Sequence, residues 1–461
     1  MELKIKYLSL LFPCISLPLI AGNKGKELRP NIVVIIADDL GTNELSCYGG
    51  RNLVTGNIDK LAAEAIRLTN DYASCAMSVP TRASMYTGLY PARHGSYQNH
   101  KMSYSGITSI TSYLPQAGYR VGRTGKQHTS PQSVYQFEEI PGFQVDCVST
   151  DASYTTDGIR EFMTRKDSRP FCLFVCSINP HAPWTWGNPD EFNPDKVDLP
   201  PNCVDNPVTR KMFCKYLAEI RALDNEVGSV RKVLEETGLI DNTLVIFLGE
   251  QGPQFPFAKW TCYNYGQHSA FIARYPDKIT AGAISNAIVQ YEDILPTLME
   301  FAGGNKIKGI DGNSFLQVLY GKKTEHRSYA YGIHNNYPEG SPYPIRSIRD
   351  KQYKLILNLT PEADYYEKHM MNVKDKNSVW VSWLKSAEQN DSAKYTVNRF
   401  VKRPAIELYN LTNDPWELNN LANDAQYAKK IKQMKSELEK WMKEQGDTGS
   451  NMDVPSENKY F

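Results

Sequence analysis

The segment 78–88 combines a hydroxyl, a proline and an arginine in an order that suits an anion site. It reads Ser-Val-Pro-Thr-Arg-Ala-Ser-Met-Tyr-Thr-Gly. Pro80 has a fixed φ and no N–H, which suits the first helical position, and Gly88 suits the end of a short helix. Ser78 would then lie at the helix N-terminus, where free N–H groups and the helix dipole favour an anion, with Arg82 close by. This arrangement favours chemistry on an oxyanion ester, and an N-cap serine without a catalytic role is the alternative.

Polar side chains follow each of four predicted strands. Three apolar runs without alternation, 31–37, 171–176 and 243–248, predict fully buried parallel strands, and a shorter strand is expected near 119–122. Ligands bind beyond the carboxyl ends of such strands, so we expect the polar residues to share one edge of the sheet. They are Asp38-Asp39, Asn179-Pro180-His181, Glu250-Gln251-Gly252 and Lys126-Gln127-His128.

Four of these residues form a candidate metal site. Asp38, Asp39, Glu250 and Gln251 offer three carboxylates and one amide oxygen. An all-oxygen set selects a hard cation, so we expect Ca²⁺, with Mg²⁺ as the alternative, and not zinc. Positively charged side chains would offset the negative charge of the carboxylates and bind an incoming anion. They are Lys126, Lys259, Arg82 and the histidines.

The pattern of elements predicts an α/β protein. Helical spacing at 57–68 and 216–237 separates the apolar strands, which indicates a large, mostly parallel central sheet sandwiched by helices. We expect this catalytic domain to cover residues 23–325.

A smaller C-terminal α+β subdomain is expected at 326–461, where it would complete the substrate pocket. Its predicted parts are an antiparallel sheet, with a hairpin at 344–357 turning at Asp350-Lys351 and a strand at 407–411, and a terminal helix at 424–445. The polar and aromatic segment 362–400 shows little periodicity and is predicted to be a long loop near the active-site rim.

Composition and the N-terminus bound the cellular context. The 461 residues carry a net charge of +1, which gives no sign of nucleic-acid binding. Residues 1–22 have charged, apolar and small-residue parts in the order of a secretory signal, so we expect an exported, periplasmic or secreted protein without a membrane span. A lipoprotein anchored through Cys14 is the alternative, although small residues do not precede that cysteine. No Cys-x-x-Cys pair occurs, which argues against a zinc knuckle.

Six segments together resemble the type I sulfatases of the alkaline phosphatase superfamily, along nearly the full mature length. They are 30–41, 78–88, 125–128, 180–183, 241–252 and 407–422. The segments 125–135, 343–347 and 407–422 look most like the branch that holds N-sulfoglucosamine sulfohydrolase and bacterial carbohydrate sulfatases. The resemblance implies hydrolysis of sulfate esters or N-sulfate on glycosaminoglycan or mucin-type sugars.

The same resemblance implies residue roles. Residue 78 would be oxidised to formylglycine, for a serine by an oxygen-independent radical maturase, and would join Asp38, Asp39, Glu250 and Gln251 at the metal. Arg82 and Lys126 would hold the formylglycine hydrate, and His128 would remove the proton that collapses the sulfo-enzyme intermediate. His181 and Lys259 would bind the sulfate and assist the leaving group.

Two features depart from the family pattern or extend it. The family usually has Asp followed by Asn or His where this chain has Glu250-Gln251, which keeps the donor atoms but lengthens each side chain. Loops after the matched motifs carry residues that we expect to line a sugar pocket, with ordinary loop packing as the alternative. They are His100, Trp184, Trp260, His334 and Arg346.

Two other functions stay open at this stage. One is a phosphatase or phosphodiesterase of the same superfamily with an unmodified Ser78 as nucleophile, although such enzymes usually recruit two zinc ions. The other is a non-catalytic glycan-binding relative. The sequence does not select the sugar, the N- or O-position of the sulfate, endo or exo action, or the oligomeric state.

Overall fold

A nine-stranded sheet forms the centre of the computed structural model, which describes residues 29–455 and 460–461. The predicted signal segment at 1–22 lies outside the described residues. The strands of this sheet are β1 (Asn31–Ala37), β2 (Ile66–Tyr72), β3 (Arg120–Gly125), β4 (Glu138–Glu139), β5 (Phe171–Cys176), β6 (Thr243–Gly249), β7 (His268–Arg274), β8 (Ile284–Ser285) and β9 (Val289–Gln290).

The strand order brings the four predicted strands together as neighbours. The order is β4-β3-β5-β1-β6-β7-β2-β8, with β9 paired to β2. Strands β3, β5, β1 and β6 are parallel to one another, whereas β7 is antiparallel to both β6 and β2. The mostly parallel sheet is therefore confirmed.

Helices cover both faces of this sheet, as predicted. Along β1, Val33 and Ile35 join one apolar core, while Ile32 and Val34 point into a second core on the opposite face. Such two-sided burial explains why the strand is apolar without alternation. The helices are α1 (Gly56–Ala63), α2 (Ser78–Thr87), α3 (Pro91–His94), α4 (Ile110–Gln116), α5 (Asp157–Thr164), α6 (Pro207–Glu236), α7 (Asn264–Gln267), α8 (Ile294–Phe301), α9 (Leu316–Leu319), α10 (Val379–Ala387), α11 (Asp391–Val401) and α12 (Ala428–Gln445).

Two predicted elements were wrong. The helix expected at 57–68 ends at Ala63, because the chain from Ile66 onwards pairs with β7 as strand β2. The loop expected at 362–400 contains α10 and α11, which bury Trp383 and Phe400 in the core. Polar residues between these apolar positions obscured the helical period.

A four-stranded antiparallel sheet follows in the C-terminal part of the chain. It consists of β10 (Ala330–His334), β11 (Ile345–Arg349), β12 (Tyr353–Asn358) and β13 (Ile406–Asn410), in that order. The predicted hairpin at 344–357 is confirmed, and α12 packs Met434, Leu438 and Trp441 into the core beside this sheet. The domain boundary at 325 stays a prediction. Across residues 29–455 and 460–461, no helix has the length and apolar character to cross a membrane.

Candidate active site

The predicted polar residues meet at the carboxyl edge of the parallel strands. Ala37 of β1 pairs with Gly249 of β6, so Asp38 and Glu250 leave the sheet side by side. Gly125 of β3 pairs with Cys176 of β5, which places Lys126 at the same edge. Gly125 has φ +83°, and a Cβ there would lie 2.0 Å from the Cys176 carbonyl oxygen, so this close approach requires glycine.

Ser78 sits in the first turn of α2, directly above this edge. The helix begins at Ser78 with Met77 as its N-cap. Pro80 is therefore the third helical residue, whereas the sequence predicted it to be the first. Proline is tolerated there because the first N–H groups of a helix have no intrahelical partner. Gly88 ends the helix at φ +67°, as predicted. All ten residues of α2 are buried, so Ser78 lies in the protein interior beside the carboxyl edge of the sheet.

The Ser78 hydroxyl lies among both carboxylates and cations. Its Oγ is 3.3 Å from Asp38 Oδ1 and 3.0 Å from Glu250 Oε2, and it accepts a hydrogen bond from Lys126 Nζ at 3.1 Å. Arg82, one helical turn on, donates from Nε to Glu250 Oε1 at 2.5 Å. Arg82 Nη2 is buried and finds no hydrogen-bond partner within the described part of the chain.

Three carboxylates form a cluster that suits a divalent cation. One oxygen each from Asp38, Asp39 and Glu250 lies within 4.8 Å of the others, and all three residues are buried. Burial raises the pKa of Glu250, and the Asp38 carboxylate adds to this against the opposing Arg82, so that the pKa reaches about 8. The raised pKa means that the surroundings of Glu250 carry too little positive charge to stabilise its carboxylate. A bound hard cation would supply that charge.

Gln251 completes the oxygen donors of this cluster. Its Nε2 donates to Asp39 Oδ1 at 2.7 Å, while its Oε1 is buried and has no hydrogen-bond partner among the residues described. Turning the amide would present that oxygen to a cation. The residues present therefore fit a hard divalent ion, as the sequence predicts, while the identity of the ion stays a prediction.

His181 and Lys259 stand together on the far side of Asp39. Lys259 Nζ donates to Asp39 Oδ2 at 2.7 Å and lies 3.1 Å from His181 Nε2. Burial lowers the pKa of His181 to about 4, and the Lys259 ammonium acts in the same direction. The pair therefore offers a neutral imidazole and a cation side by side, which is a suitable seat for a sulfate oxygen and a leaving group.

His128 lies next to His100 at the rim. His128 Nε2 is 3.3 Å from His100 Nδ1. Burial lowers the pKa of His128 well below its usual range, and the Lys126 ammonium adds to this effect. A neutral imidazole is the form that a proton acceptor needs.

Backbone strain concentrates in the same place. Seven non-glycine residues among those described have positive φ, and four of them belong to the predicted site. They are Asp39 (58°), His100 (59°), His128 (40°) and Trp260 (62°). Left-handed conformations are costly for such residues and cluster at functional sites, where the surrounding structure holds them.

Two of the five predicted sugar-pocket residues lie beside this centre. The side chain of His100 is 41% exposed and faces His128. The Trp260 ring lies with its centroid 4.8 Å from Lys259 Nζ and stacks on His369 at 5.7 Å. The exposed His100 ring suits contact with a substrate, whereas Trp260 is only 3% exposed, and a sugar-pocket role for both residues stays a prediction.

The other three are placed in the protein interior, because each has partners there. Trp184 stacks on Phe255 at 4.8 Å and donates its indole N–H to the Pro180 carbonyl. His334 is fully buried, and Arg346 is held by Asp447 through two hydrogen bonds of 2.5 and 2.8 Å. These contacts favour the loop-packing alternative for Trp184, His334 and Arg346, and a sugar-pocket role for them stays a prediction.

Sequence reasoning missed two residues that shape the site. The thiol of Cys147 lies within 4.8 Å of ligand atoms of Asp38 and His181. Glu226 on α6 accepts hydrogen bonds from Ser177 at 2.5 Å and from Asn179 at 3.0 Å, and so holds the loop that leads to His181. No motif marks either residue in the sequence. Glu226 falls on the buried face of a predicted helix, where an acidic residue is a signal worth following.

Comparisons with known proteins identify the family to which the chain belongs. The family described as "Sulfatase" matches residues 30–304, and the family described as "N-sulphoglucosamine sulphohydrolase, C-terminal" matches residues 250–380. An ulvan-active sulfatase of Formosa agariphila is 34% identical over 441 residues, which cover 91% of this chain and 81% of that protein. The human N-sulphoglucosamine sulphohydrolase is 25% identical and covers 94% of its own length and 94% of this chain.

A solved structure supports the fold over nearly the whole chain. It is a protein in complex with its substrate D-glucosamine-2-N,6-O-disulfate, and it superposes with a TM-score of 0.73 at 23% identity, covering 93% of this chain and all of that one. The family match spans more than half of the sequence, and the strand edge carries the residues described above. The chain therefore belongs to the sulfatase family and is a sulfuric ester hydrolase.

Proposed function

We propose that this protein removes sulfate groups from sulfated saccharides through a formylglycine made from Ser78 and one divalent cation. The observation that carries the proposal is the position of Ser78 Oγ, 3.0 Å from Glu250 Oε2 and 3.1 Å from Lys126 Nζ. The nucleophile therefore sits between a carboxylate cluster suited to a cation and a lysine suited to an anion. A radical maturase that oxidises serine is the partner that this proposal requires.

The residues around position 78 divide the work of the reaction. One hydroxyl of the hydrated aldehyde attacks sulfur, the bond from sulfur to the sugar oxygen or nitrogen breaks, and in the net change the proton of the attacking hydroxyl passes to the departing sugar. His181 and Lys259 bind the sulfate and assist the departing sugar. His128 then takes the proton of the second hydroxyl, the carbonyl re-forms and sulfate leaves. Water never attacks sulfur, so one difficult step becomes two easier ones.

The cluster of Asp38, Asp39, Glu250 and Gln251 would hold the cation, which we propose to be calcium. When bound, the cation supplies positive charge beside the transferring oxygens. Arg82 and Lys126 serve as fixed hydrogen-bond donors independently of the cation. Arg82 Nη2 has no partner among the described residues and would bind the hydrate. Lys126 Nζ donates hydrogen bonds to both Ser78 Oγ and Asp38 Oδ2.

Saccharide substrates are favoured over small aryl sulfates by the relatives and by the rim. Both relatives described above are named for action on sulfated sugars. The rim carries the half-exposed imidazole groups of His100 and His369, which can hydrogen-bond to a sugar, and His369 stacks on the buried Trp260 ring beside Lys259. The signal-like segment at 1–22 supports export to the periplasm or the medium, where such glycans are met.

Sulfate release from a panel of sulfated saccharides tests this proposal. The protein is produced with a serine-type radical maturase and assayed on N-, 2-O-, 3-O-, 4-O- and 6-O-sulfated mono- and disaccharides. We expect release from at least one sugar and none from Ser78→Ala. Ser84→Ala is the matched control, because its hydroxyl lies on the same helix and contacts His94 instead of the site. Full activity of Ser78→Ala, or no release by protein that carries formylglycine, would contradict the proposal.

A further inference from the structure

We propose that Glu339 and His100 are positioning residues that fix the orientation and the proton position of His128. This inference rests on the proposed function, in which His128 takes a proton from the formylglycine hydrate. Glu339 lies in the C-terminal part of the chain, far in sequence from the matched catalytic motifs.

The three side chains form a continuous line. His128 Nε2 is 3.3 Å from His100 Nδ1, and His100 Nε2 is 3.7 Å from Glu339 Oε1. Each imidazole thus presents one nitrogen to the next group along the line. Glu339 is 1% exposed, so its negative charge acts on its neighbours with little screening by water.

Other contacts hold the Glu339 carboxylate in place and keep it ionised. Asn99 Nδ2 donates to Oε1 at 2.8 Å, His369 Nε2 lies 2.6 Å from Oε2, and Lys368 Nζ is 3.1 Å from Oε2. Burial acts to raise the pKa of Glu339, but the hydrogen bond from His369 and the other contacts lower it to about 2. A fixed anion at this point favours a proton on His100 Nε2.

That proton position determines the rest of the line. With its proton on Nε2, neutral His100 has a lone pair on Nδ1, which accepts the Nε2–H of His128. The basic nitrogen of His128 is then Nδ1. This atom is buried, and the described residues give it no hydrogen-bond partner. It is therefore left free for a group that the reaction brings to it.

The backbone around the two histidines is held in a costly conformation. His100 has φ +59° and His128 has φ +40°, both in the left-handed region. The Phe461 ring packs against His100 at 6.4 Å and His128 at 6.1 Å, and the Phe461 N–H donates to the His100 carbonyl at 2.9 Å. Strain held by such contacts fits a geometry that the reaction needs.

In the reaction, the line stabilises the proton that His128 receives. The proton of the second hydroxyl moves to His128 Nδ1, the electron pair it leaves forms the carbonyl, and the bond to the sulfate oxygen breaks with its electrons on sulfate. The resulting imidazolium donates from Nε2 to His100 Nδ1, and Glu339 lies behind it as the counter-charge. A carboxylate behind a histidine is known to fix the tautomer and stabilise the cation in this way.

Kinetics of His100→Gly with added imidazole test the inference. Glycine suits φ +59°, so the substitution removes the ring without adding backbone strain. We expect formylglycine-bearing His100→Gly to lose about 10- to 100-fold in kcat, the range seen when the partner that orients a metal-bound histidine is removed. A rise in KM beside this loss would report the separate contact of the half-exposed His100 ring with substrate. Added imidazole fills the vacated place and should raise kcat toward that of the unsubstituted protein, which a purely structural role would not explain.

Two further variants complete the test. Glu339→Gln keeps the shape but not the charge and should lower kcat in the same direction. Glu325→Gln makes the same chemical change at an exposed carboxylate that pairs with Lys351 at 2.7 Å and contacts neither histidine, and it should leave kcat unchanged. Unchanged kcat in His100→Gly, a loss confined to KM, or no response to imidazole would overturn the inference while the proposed function stands. Failure of the unsubstituted, oxidised protein to release sulfate would refute the proposed function itself and this role for His128 with it.

Discussion

Replacing Arg346 by methionine should destabilise the protein and leave its chemistry intact. The guanidinium is fully buried and uses its N–H groups on Asp447, on the His334 and Ile345 carbonyls and on Asn335 Oδ1, at 2.5 to 3.1 Å. Methionine removes these donors and leaves the Asp447 carboxylate buried without its counter-ion.

The size of the effect follows from these contacts. Breaking a buried ion pair by removing one partner costs about 3–5 kcal/mol, against a total stability of about 5–15 kcal/mol for a typical protein. Unfolding entropy of about 2.1 cal/mol/K per residue amounts to roughly 1 kcal/mol per degree for a chain of 461 residues. The melting temperature should therefore fall by about 3–5 °C if the chain unfolds as one unit.

Thermal denaturation and steady-state kinetics on the same preparations check this prediction. Arg346→Met should melt earlier and keep its KM, and the double variant Arg346→Met with Asp447→Leu should recover part of the loss because no unpaired charge remains. An unchanged melting temperature together with a raised KM would show that Arg346 contacts substrate and that the packing assignment is wrong.

Three further predictions concern the metal, the core and the sheet edge. Removal of divalent ions with a chelator should lower both activity and melting temperature, and added calcium should restore both. At a hundredfold excess of calcium over Kd, the free energy of unfolding should rise by about 2.7 kcal/mol. A melting temperature that does not change with the chelator would contradict the cation site formed around Glu250. Trp184→Phe should lower the free energy of unfolding with KM unchanged, since the indole packs on Phe255, and a KM effect in kinetics would argue for sugar contact. Gly125→Ala should give little folded protein by circular dichroism, because its Cβ would meet the Cys176 carbonyl at 2.0 Å; a fully stable variant would show that the strands can separate there.

The strand edge was predictable because local pattern and topology agree. Apolar runs marked β1, β5 and β6 to within a residue, and parallel neighbours put their following polar residues together. The condition that Ser78 must lie close to the carboxylates is met at 3.0 Å from Glu250 and 3.3 Å from Asp38.

The rim was not predictable in the same way. Trp184 and Arg346 follow matched motifs in the sequence, yet their partners Phe255 and Asp447 lie far along the chain, so only the tertiary structure reveals that both are occupied. Glu339 shows the converse case. It belongs to no motif, and it comes to His100 only because the C-terminal part of the chain packs against the loop after α3.

The most direct test is the mass of the peptide that bears residue 78, taken from a preparation that releases sulfate. We predict a peptide that lacks two hydrogens relative to serine and that traps a hydrazine reagent through its aldehyde. An active preparation in which this residue is found only as unmodified serine would contradict the mechanism, whatever the surrounding geometry.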